Sequence, residues 1–476
     1  MKTLGKLEKS KEVWFIIFTS FLFFILRFPS LFEPLWYGDE GIYQVVGTSL
    51  NNGKLLYKEI FDNKPPLLYW TYAILQSDQF LTRLASLIVG VLTVALFFFL
   101  SKKLFKNKNN IHYISTFIFA VLFSTPILEG NIANAENFML LPIVASSFFI
   151  VSQKKFFVAG LLLGIAFLFK IVAVFDLAAF FIFCLIINFN SIKKETKLSL
   201  ILVGFLLPIL TVILFFLSNG TLIDFLKATL ISNVSYVSYG NKIGGFPLLL
   251  FLKLLLLGMF ILYIFTKRKE INKTSLFVLI WFAFSLFNTF FSQRPYTHYV
   301  LVLIPSLSLM IGLMLFDKKY QKTIAIFIII STIILIKSFG TPRFNKGVNY
   351  YQNFISYILG KKTTTSYQNF FDRNTPLDYE IARFIKPKIN KNDTIFIWGN
   401  NAQLYELVGV IPPAKYIVTY HMTNYKDGIA TTKIALDKTK PKFIVVMLNQ
   451  KEIPFPLINY SKKINIGKAV IYERIF

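Results

Sequence analysis

Long apolar stretches recur along most of this 476-residue chain, and they constrain its fold more than any other feature. A bilayer core about 30 Å thick requires about 20 mostly apolar residues per helix, and stretches near that length recur as far as Ile336. The composition agrees, since 55% of the residues are hydrophobic and only 16% are charged. Such values are not those of a soluble globular enzyme, and they predict an α-helical polytopic membrane protein.

We predict about eleven transmembrane helices from these stretches. The first stretch is interpreted as a retained helix rather than a cleaved signal peptide, because it lacks a small-residue cleavage site and further spans follow it. The predicted spans cover residues 13–32, 80–100, 111–128, 135–151, 156–169, 171–189, 198–217, 246–265, 275–291, 299–316 and 323–336.

The chain carries 51 Lys and Arg against 24 Asp and Glu, a formal charge of +27 that by itself would suggest a nucleic-acid partner. The positions of the basic residues indicate a membrane partner instead. Many lie in short connections on one side of the predicted bundle, which the positive-inside rule assigns to the cytoplasm together with the N-terminus. We therefore predict a plasma-membrane protein that contacts membrane lipids and no nucleic acid. The basic connections contain Lys102, Lys103, Lys106, Lys108, Lys154, Lys155, Lys193, Lys194, Lys197, Lys267, Arg268, Lys269, Lys273, Lys318, Lys319 and Lys322.

The composition changes near residue 341, where long apolar stretches give way to Asn, Lys, Thr and Tyr with short apolar runs. This predicts a membrane domain over residues 1–340 and a small extracytoplasmic α/β domain over residues 341–476. Within the second domain we predict strands over residues 395–398, 416–418 and 443–447 and a helix over residues 402–408.

The first outer loop, residues 33–79, concentrates acids, a lysine and rigid turn residues. Asp39 and Glu40 follow the first span where a helix is predicted to begin, and a carboxylate there stays ionised as a general base requires. An ordinary helix N-cap would have the same sequence. Lys64 precedes Pro65 and Pro66, which fix an extended backbone and aim the ammonium group at an anion such as phosphate. A lysine that reaches toward the membrane interface would look the same.

Further polar residues lie in the same predicted layer, where ionisable groups are costly and therefore functional candidates. Lys170 interrupts a long apolar stretch on the side where the positive-inside rule disfavours cations, although a turn between helices also requires a polar residue. Arg294 offers bidentate contacts to phosphate, and Asp176 is expected to pair with a neighbouring cation. His298 fits an acid/base group, a metal ligand or an interface residue, and no histidine cluster supports a metal. The layer comprises Glu136, Lys170, Asp176, Arg294, Tyr296 and His298.

Several of these residues form motifs with a familiar arrangement. They are Asp39-Glu40 directly after the first span, Asp62-Asn63-Lys64-Pro65-Pro66-Leu67 in the same loop, Glu136 opening the fourth span, Gly164 to Lys170 at the end of the fifth, and Arg294 to Tyr299 with Pro305. Together they resemble the bacterial GT-C membrane glycosyltransferases of the protein O-mannosyltransferase and aminoarabinose transferase type. The similarity covers roughly residues 14–316 and is strongest in the first outer loop.

The resemblance implies an inverting transfer of a sugar from a polyprenyl-phosphate donor to an acceptor on the outer face of the plasma membrane. The acceptor is a lipid-linked glycan, a cell-envelope polymer or a protein. Carried over by motif, Asp39 is the base with Glu40 beside it, and Lys64, Lys170 and Arg294 bind the donor phosphate. The supporting residues of the cavity are Asp62, Glu136, Tyr296 and His298. Some relatives place a metal-binding carboxylate immediately before the lysine; this chain has Asn63 there, so no metal and no other cofactor is predicted.

A multi-pass lipid or solute transporter or flippase is the alternative, because it shares apolar spans with scattered charges. Transporters gather polar residues near the middle of the membrane, often in two related halves, whereas here they gather in predicted outer loops. A non-enzymatic receptor with an outer binding domain is a third hypothesis. The sequence contains no Walker loop, dinucleotide fingerprint or nucleophile elbow, which argues against a nucleotide-driven pump.

Overall fold

The computed structural model describes residues 2–106, 110–189, 194–243, 246–316, 321–339, 344–447 and 452–475. Four of the lysines predicted in basic connections lie outside these ranges, as does the predicted domain boundary at residues 340–341. The four lysines are Lys108, Lys193, Lys318 and Lys319.

Within the described ranges the chain is mainly helical, as predicted. In chain order the helices are α1 (Lys2–Arg27), α2 (Gly38–Asn51), α3 (Pro66–Ile74), α4 (Gln79–Leu104), α5 (Ile111–Ser124), α6 (Ala135–Val151), α7 (Phe156–Phe169), α8 (Val174–Ile187), α9 (Lys194–Ser218), α10 (Leu222–Leu226), α11 (Ser232–Gly240), α12 (Leu248–Thr266), α13 (Lys273–Phe290), α14 (Ile304–Phe316), α15 (Gln321–Phe339), α16 (Phe344–Ile358), α17 (Thr364–Phe371), α18 (Thr375–Ile385), α19 (Gln403–Val408), α20 (Thr419–Asn424) and α21 (Gly428–Thr439). Short 3₁₀ turns at Phe28–Phe32, Ile171–Ala173 and Thr297–Leu303 adjoin helices, and another at Pro126–Leu128 lies between α5 and α6.

Seven helices among the described residues are long and apolar enough to cross a membrane, and four shorter apolar helices accompany them. Each predicted span falls on one of these helices, because backbone groups in hydrocarbon must be hydrogen-bonded within the segment. The prediction of a polytopic helical membrane protein is therefore confirmed. The number of helices that cross the bilayer stays a prediction.

The chain divides into two compact units. Unit 1 comprises Met1–Phe28, Leu84–Phe215 and Leu230–Gly347, and it holds most of the apolar helices. Its core is rich in aromatic side chains; the rings of Phe97 and Phe119, for example, stack with centroids 4.2 Å apart.

Helices α7 and α9 pack through glycines within unit 1. Gly160 and Gly164 lie one turn apart on α7, and Gly204 lies on α9. A Cβ atom at Gly160 would lie 2.0 Å from the carbonyl oxygen of Ile201, and one at Gly204 would lie 2.1 Å from that of Phe157. Small residues of this kind let the backbones of apolar helices approach closely, which replaces the hydrophobic effect as a source of helix association in lipid.

Unit 2 comprises Pro29–Arg83, Phe216–Thr229 and Val348–Phe476, so it combines the first loop with the C-terminal tail. The tail contains a four-stranded sheet in the order β1-β2-β4-β3. The strands are β1 (Ile395–Trp398), β2 (Phe443–Met447), β3 (Tyr460–Ile466) and β4 (Ala469–Arg474), with β1 parallel to β2 and the other pairs antiparallel. The predicted small α/β layer is confirmed.

The strand predictions are right in part. Strands β1 and β2 have the predicted bounds, and α19 begins one residue later than predicted. The strand predicted over residues 416–418 is wrong, because Tyr416 forms only an isolated bridge to Phe61 before α20 begins. Strands β3 and β4 were not predicted; most of β3 is exposed and polar, so it lacks the apolar run on which the prediction depended.

We expect Gly160→Ala to destabilise the protein, because the added methyl group would force α7 away from α9. Overpacking of this kind costs about 1–3 kcal/mol. The matched control is Gly258→Ala on α12, where an added Cβ would have no heavy atom within 4 Å. Thermal unfolding in detergent should show a lower midpoint for Gly160→Ala and an unchanged or higher one for Gly258→Ala, since alanine favours helix. Equal midpoints would contradict the packing role.

Candidate active site

Asp39 lies in the first turn of α2, where the predicted helix does begin. Tyr37 occupies the N-cap position, and Asp39 is the second residue of the helix. The Tyr43 hydroxyl, one turn later, donates a hydrogen bond of 3.2 Å to Asp39 Oδ2. The helix and this hydrogen bond fix the Asp39 carboxylate. Because the side chain is 34% exposed, a reactant can still reach it.

Lys64 lies between two carboxylates. Its Nζ atom is 3.7 Å from Asp39 Oδ2 and 3.6 Å from Asp62 Oδ2, and it also lies 4.8 Å from the centre of the Tyr43 ring. Both distances exceed a direct hydrogen bond, so these are charge interactions. The structure thus brings together three of the predicted residues, Asp39, Asp62 and Lys64. We call them the Asp39 cluster.

Buried tyrosines hold the backbone of Lys64. The Tyr57 hydroxyl donates to Lys64 O at 2.7 Å, the Lys64 amide donates to the Tyr69 oxygen at 3.1 Å, and the Tyr69 hydroxyl donates to Asp62 Oδ2 at 2.6 Å. Burial, and then the Asp62 charge, raise the pKa of both phenols well above the usual value. The two hydroxyls therefore remain neutral donors, and Lys64 is held on a rigid backbone.

The C-terminal tail contributes a wall of the Asp39 cluster. The Phe61 amide donates to Lys415 O at 3.0 Å, which fixes the residue before Asp62. His421 Nε2 lies 3.6 Å from Asp62 Oδ1, and the imidazole is almost fully buried. Burial lowers the pKa of His421 to about 4 despite the opposing effect of Asp62. His421 is therefore neutral near pH 7 and adds no charge to the cluster.

Glu40 points into a buried ion pair rather than toward Lys64. Arg83 Nε donates to Glu40 Oε1 at 3.1 Å, Arg83 Nη2 contacts the other oxygen, and Nη1 lies 2.8 Å from Glu33 Oε2. The Tyr350 hydroxyl donates to Glu33 Oε1 at 2.6 Å. One guanidinium group thus ties the start of the first loop to α2, which carries Asp39.

A second buried carboxylate supports α2 from the tail. A Cβ atom at Gly41 would lie 2.8 Å from the Gln403 amide nitrogen, so the first turn of α2 packs directly on α19. Gln403 Nε2 donates to Asp378 Oδ2 at 2.8 Å, and Asn401 Nδ2 donates to both oxygens at 2.8 and 3.0 Å. Burial raises the pKa of Asp378 to about 7, with the two amides opposing it.

In unit 1, a second network of side chains surrounds Glu136, which lies in the first turn of α6. It contains the predicted residues Lys170 and His298 together with Glu129 and Tyr299. The Lys170 ammonium contacts Glu136 Oε1 directly and lies 4.3 Å from the centre of the Tyr299 ring. His298 Nε2 lies 3.9 Å from the same Glu136 oxygen, while its Nδ1 is 2.8 Å from Glu129 Oε2. Lys170 occupies the C-cap of α7 with an extended backbone, which turns it toward α6.

Arg294 lies over two tyrosines of α11. Its guanidinium carbon is 4.9 Å from the Tyr236 ring centre and 5.2 Å from that of Tyr239. Tyr296 is exposed and stacks on His298 with ring centres 5.7 Å apart.

The sequence suggested that Asp176 pairs with a cation, but among the residues that the structure describes it has no cationic partner. Trp281 Nε1 donates to its Oδ1 at 2.7 Å in the core of unit 1. Within the described ranges no group of three or more His, Cys, Asp and Glu side chains is close enough to hold a metal ion. The absence of a metal cofactor stays a prediction.

Several residues that complete these clusters were not predicted from the sequence. Arg83 had a usable signal, because it opens a span on the side where the positive-inside rule disfavours cations. Glu129 and His421 lie in segments with no distinctive pattern, and tertiary packing alone brings them to His298 and Asp62.

Comparisons with known proteins test the fold. A sequence profile of the family described as dolichyl-phosphate-mannose-protein mannosyltransferase matches residues 63–215, about a third of the chain. No curated protein sequence matches this chain. The crystal structure of ArnT from Cupriavidus metallidurans bound to undecaprenyl phosphate superposes with a TM-score of 0.59 and 13% identity, covering 96% of this chain and 97% of that one.

This chain has the GT-C glycosyltransferase fold. The resemblance inferred from the sequence motifs is therefore confirmed at the level of fold. The Archaeoglobus fulgidus oligosaccharyltransferase tethered with an acceptor peptide also matches, with a TM-score of 0.45, 11% identity, and coverage of 93% of this chain and 69% of that one. The profile match includes Lys64, Glu136 and Lys170, and Asp39 and Arg294 lie outside it.

We expect Arg83→Met to destabilise unit 2 strongly, because it leaves Glu33 and Glu40 as buried, uncompensated charges. Loss of one partner from a buried pair costs about 3–5 kcal/mol. The control is Lys102→Met, which removes an exposed ion pair with Glu12 and should cost at most about 1 kcal/mol. Thermal midpoints in detergent measure both, and similar shifts in the two variants would contradict the role of Arg83.

Asp378 predicts a pH-dependent stability. Because its folded pKa is about 7 and its unfolded pKa is near 4, the folded state binds the extra proton between these values. Its contribution to stability is therefore present at low pH and is lost as pH rises through about 7. The pKa of half-buried Glu406 is shifted in the same direction and that of His421 in the opposite one, so the test compares variants rather than pH values alone.

The thermal midpoint of wild type minus that of Asp378→Asn should be larger at pH 5 than at pH 8, by the equivalent of roughly 1–3 kcal/mol. Exposed Asp437 on α21 provides the control, and the difference between wild type and Asp437→Asn should not change with pH. A difference for Asp378→Asn that is constant across this range would show that Asp378 is not protonated in the folded protein.

Proposed function

We propose that this protein transfers a sugar from a polyprenyl-phosphate donor to an acceptor at the outer face of the plasma membrane, with inversion at the anomeric carbon. The observation that carries the proposal is the Asp39 cluster, in which a partly exposed carboxylate lies 3.7 Å from a lysine held on a rigid backbone. Its setting supports the proposal, since the chain has the GT-C fold and the profile of a mannosyltransferase family matches the segment that begins next to Lys64.

Asp39 acts as the general base. An acceptor hydroxyl oxygen forms a bond to the anomeric carbon while the bond from that carbon to the phosphate oxygen breaks. The hydroxyl proton passes to Asp39, and the polyprenyl phosphate leaves with the electron pair of the broken bond. The donor already contains a good leaving group, so one positioned carboxylate and a few cations are sufficient.

Lys64 stabilises the negative charge that develops on the departing phosphate. Its side chain is 20% exposed, and in the absence of substrate its positive charge lies beside the Asp39 carboxylate. Asp62 is only 2% exposed and holds Lys64 from the other side. Lys170 and Arg294 are further phosphate ligands in this proposal, as a lysine and a guanidinium group suited to anionic oxygens.

The remaining predicted residues have supporting roles. Glu40 was predicted to be catalytic together with Asp39. In this proposal it positions α2 through Arg83, because both of its carboxylate oxygens contact that guanidinium group. Glu136 and His298 hold Lys170 and its surroundings, and Tyr296 covers the His298 ring.

The proposed location is the plasma membrane, with a cytoplasmic N-terminus and an extracytoplasmic tail. The basic connections support this orientation through the positive-inside rule. Among the described residues, Lys102, Lys267 and Lys269 lie at helix ends where cytoplasmic lysines are expected.

The test is sugar transfer by the purified protein in liposomes. Undecaprenyl-phosphate-linked sugars carrying radiolabel are offered with a lipid-linked glycan, a cell-envelope polymer or a protein as acceptor. We expect Asp39→Asn to lower kcat by about 100-fold or more, because the amide cannot accept the proton. Lys64→Ala should lower it by a similar factor through loss of leaving-group stabilisation. The anomeric configuration of the product, measured by NMR, tests inversion.

Two matched controls lie in the same loop. Asp78→Asn changes an exposed carboxylate whose capping bond to the Leu81 amide an asparagine can replace, and Lys58→Ala removes an exposed lysine. Both should retain wild-type rates. Full activity of Asp39→Asn would eliminate it as the base. Movement of a solute or lipid across the liposome membrane without any transfer would favour the transporter hypothesis.

A further inference from the structure

Lys253 is a charged residue in a strongly apolar helix. It lies in the second turn of α12, whose nineteen residues contain few buried side chains and no other charged group. An ammonium group in such a helix is costly unless it has partners, and ionisable residues in membrane segments are functional candidates. Lys253 was not among the functional residues predicted from the sequence.

All three donors of the Lys253 ammonium group have acceptors. Nζ donates to Asn241 Oδ1 at 2.8 Å, to the Phe290 carbonyl oxygen at 2.6 Å, and to Gln293 Oε1 at 2.6 Å. An ammonium group has three hydrogens, so these bonds satisfy it. The Lys253 ammonium group therefore binds the turn that follows α13, and all of its hydrogens are used without a ligand.

Asn241 reaches the same turn from the end of α11. Its amide Nδ2 donates to the Val237 carbonyl oxygen and to the Phe291 carbonyl oxygen, each at 2.9 Å. The neighbouring Gly240 packs so closely that a Cβ atom there would lie 2.2 Å from the Ser292 carbonyl oxygen. Residues 290–293 are thus fixed from two helices.

The fixed turn leads directly into Arg294. Gln293 has a positive φ of 55°, an uncommon conformation for a residue other than glycine, and Lys253 binds its side chain. The Arg294 guanidinium group then lies over Tyr236 and Tyr239 of α11. Its buried Nε atom has no hydrogen-bond partner within the described part of the chain. A donor in this state suits an anionic oxygen supplied by a ligand.

We propose that Lys253 and Asn241 are positioning residues that fix the 290–293 turn and thereby aim Arg294 at the phosphate of the polyprenyl carrier. The inference rests on the proposed function and deepens it, since it assigns Lys253 a role through Arg294 rather than a direct contact with phosphate. The ammonium group of Lys253 donates its hydrogen bonds to the 290–293 turn and to Asn241, whereas the Nε atom of Arg294 remains available to donate to the ligand.

The experiment measures binding of undecaprenyl phosphate alone to the full-length protein in detergent micelles, as a dissociation constant. The variants are Lys253→Gln, Arg294→Ala and the double variant, with exposed Lys269→Gln as control. If Lys253 acts through Arg294, Lys253→Gln should weaken binding roughly five- to twentyfold in the wild-type background and have no further effect in the Arg294→Ala background. Lys269→Gln should bind as wild type does.

Gln293→Ala provides a second test that leaves the charge of Lys253 in place. It removes one of the three acceptors and should weaken binding in the same Arg294-dependent way. Effects of Lys253→Gln and Arg294→Ala that multiply in the double variant would overturn the inference, because they would show independent contributions. The inference would also be overturned if Lys253→Gln fails to fold and Gln293→Ala binds undecaprenyl phosphate as tightly as wild type does.

The proposed function fails in a different way. Wild-type protein that shows no saturable binding of undecaprenyl phosphate would overturn the proposed donor class itself. Saturable binding that depends on Arg294 but not on Lys253 or Gln293 would leave the donor class in place and overturn only the positioning role.

Discussion

The Asp39 cluster depends on the buried ion pairs that the Arg83 guanidinium group forms with Glu33 and Glu40. The guanidinium group is fully buried, and it binds carboxylates at both Glu33 and Glu40, so it ties the beginning of the first loop to α2. A buried cation of this kind is tolerated only when its hydrogen bonds and charge are matched. Because Glu40 adjoins Asp39 on the same helix, the ion pair also fixes the direction in which Asp39 points.

The Asp39 cluster combines one lysine with two carboxylates of different exposure. Asp62 is buried, accepts from Tyr69 and lies near neutral His421, whereas Asp39 is open to solvent. Lys64 therefore has a buried acid on one side and a partly exposed one on the other. The difference in exposure supports the proposed base role of Asp39, since a buried carboxylate with fixed partners cannot accept a proton from a substrate without breaking them.

Helix patterns and the local chemistry of the first loop were predictable from the sequence. Every predicted span falls on an apolar helix, α2 begins at Asp39 within one residue, and strands β1 and β2 have the predicted bounds. The prediction failed where long-range packing decides the conformation. Tyr416 belongs to a strand-like run, but its backbone pairs with Phe61 from the first loop rather than with the sheet. The polar strand β3 depends on pairing with β4 and has no apolar signal of its own.

The sequence by itself determined the apolar helices, the acid pair after the first of them and the lysine before two prolines, because bilayer thickness and backbone restriction act locally. Tertiary structure decided which acid is exposed and which is buried. Consecutive residues of a helix point about 100° apart, so Asp39 and Glu40 face different surroundings, and only the packing of Arg83 and the tail determines what those surroundings are. The contacts of His421 and Lys253 arise in the same way, from partners distant in the chain that no local pattern encodes.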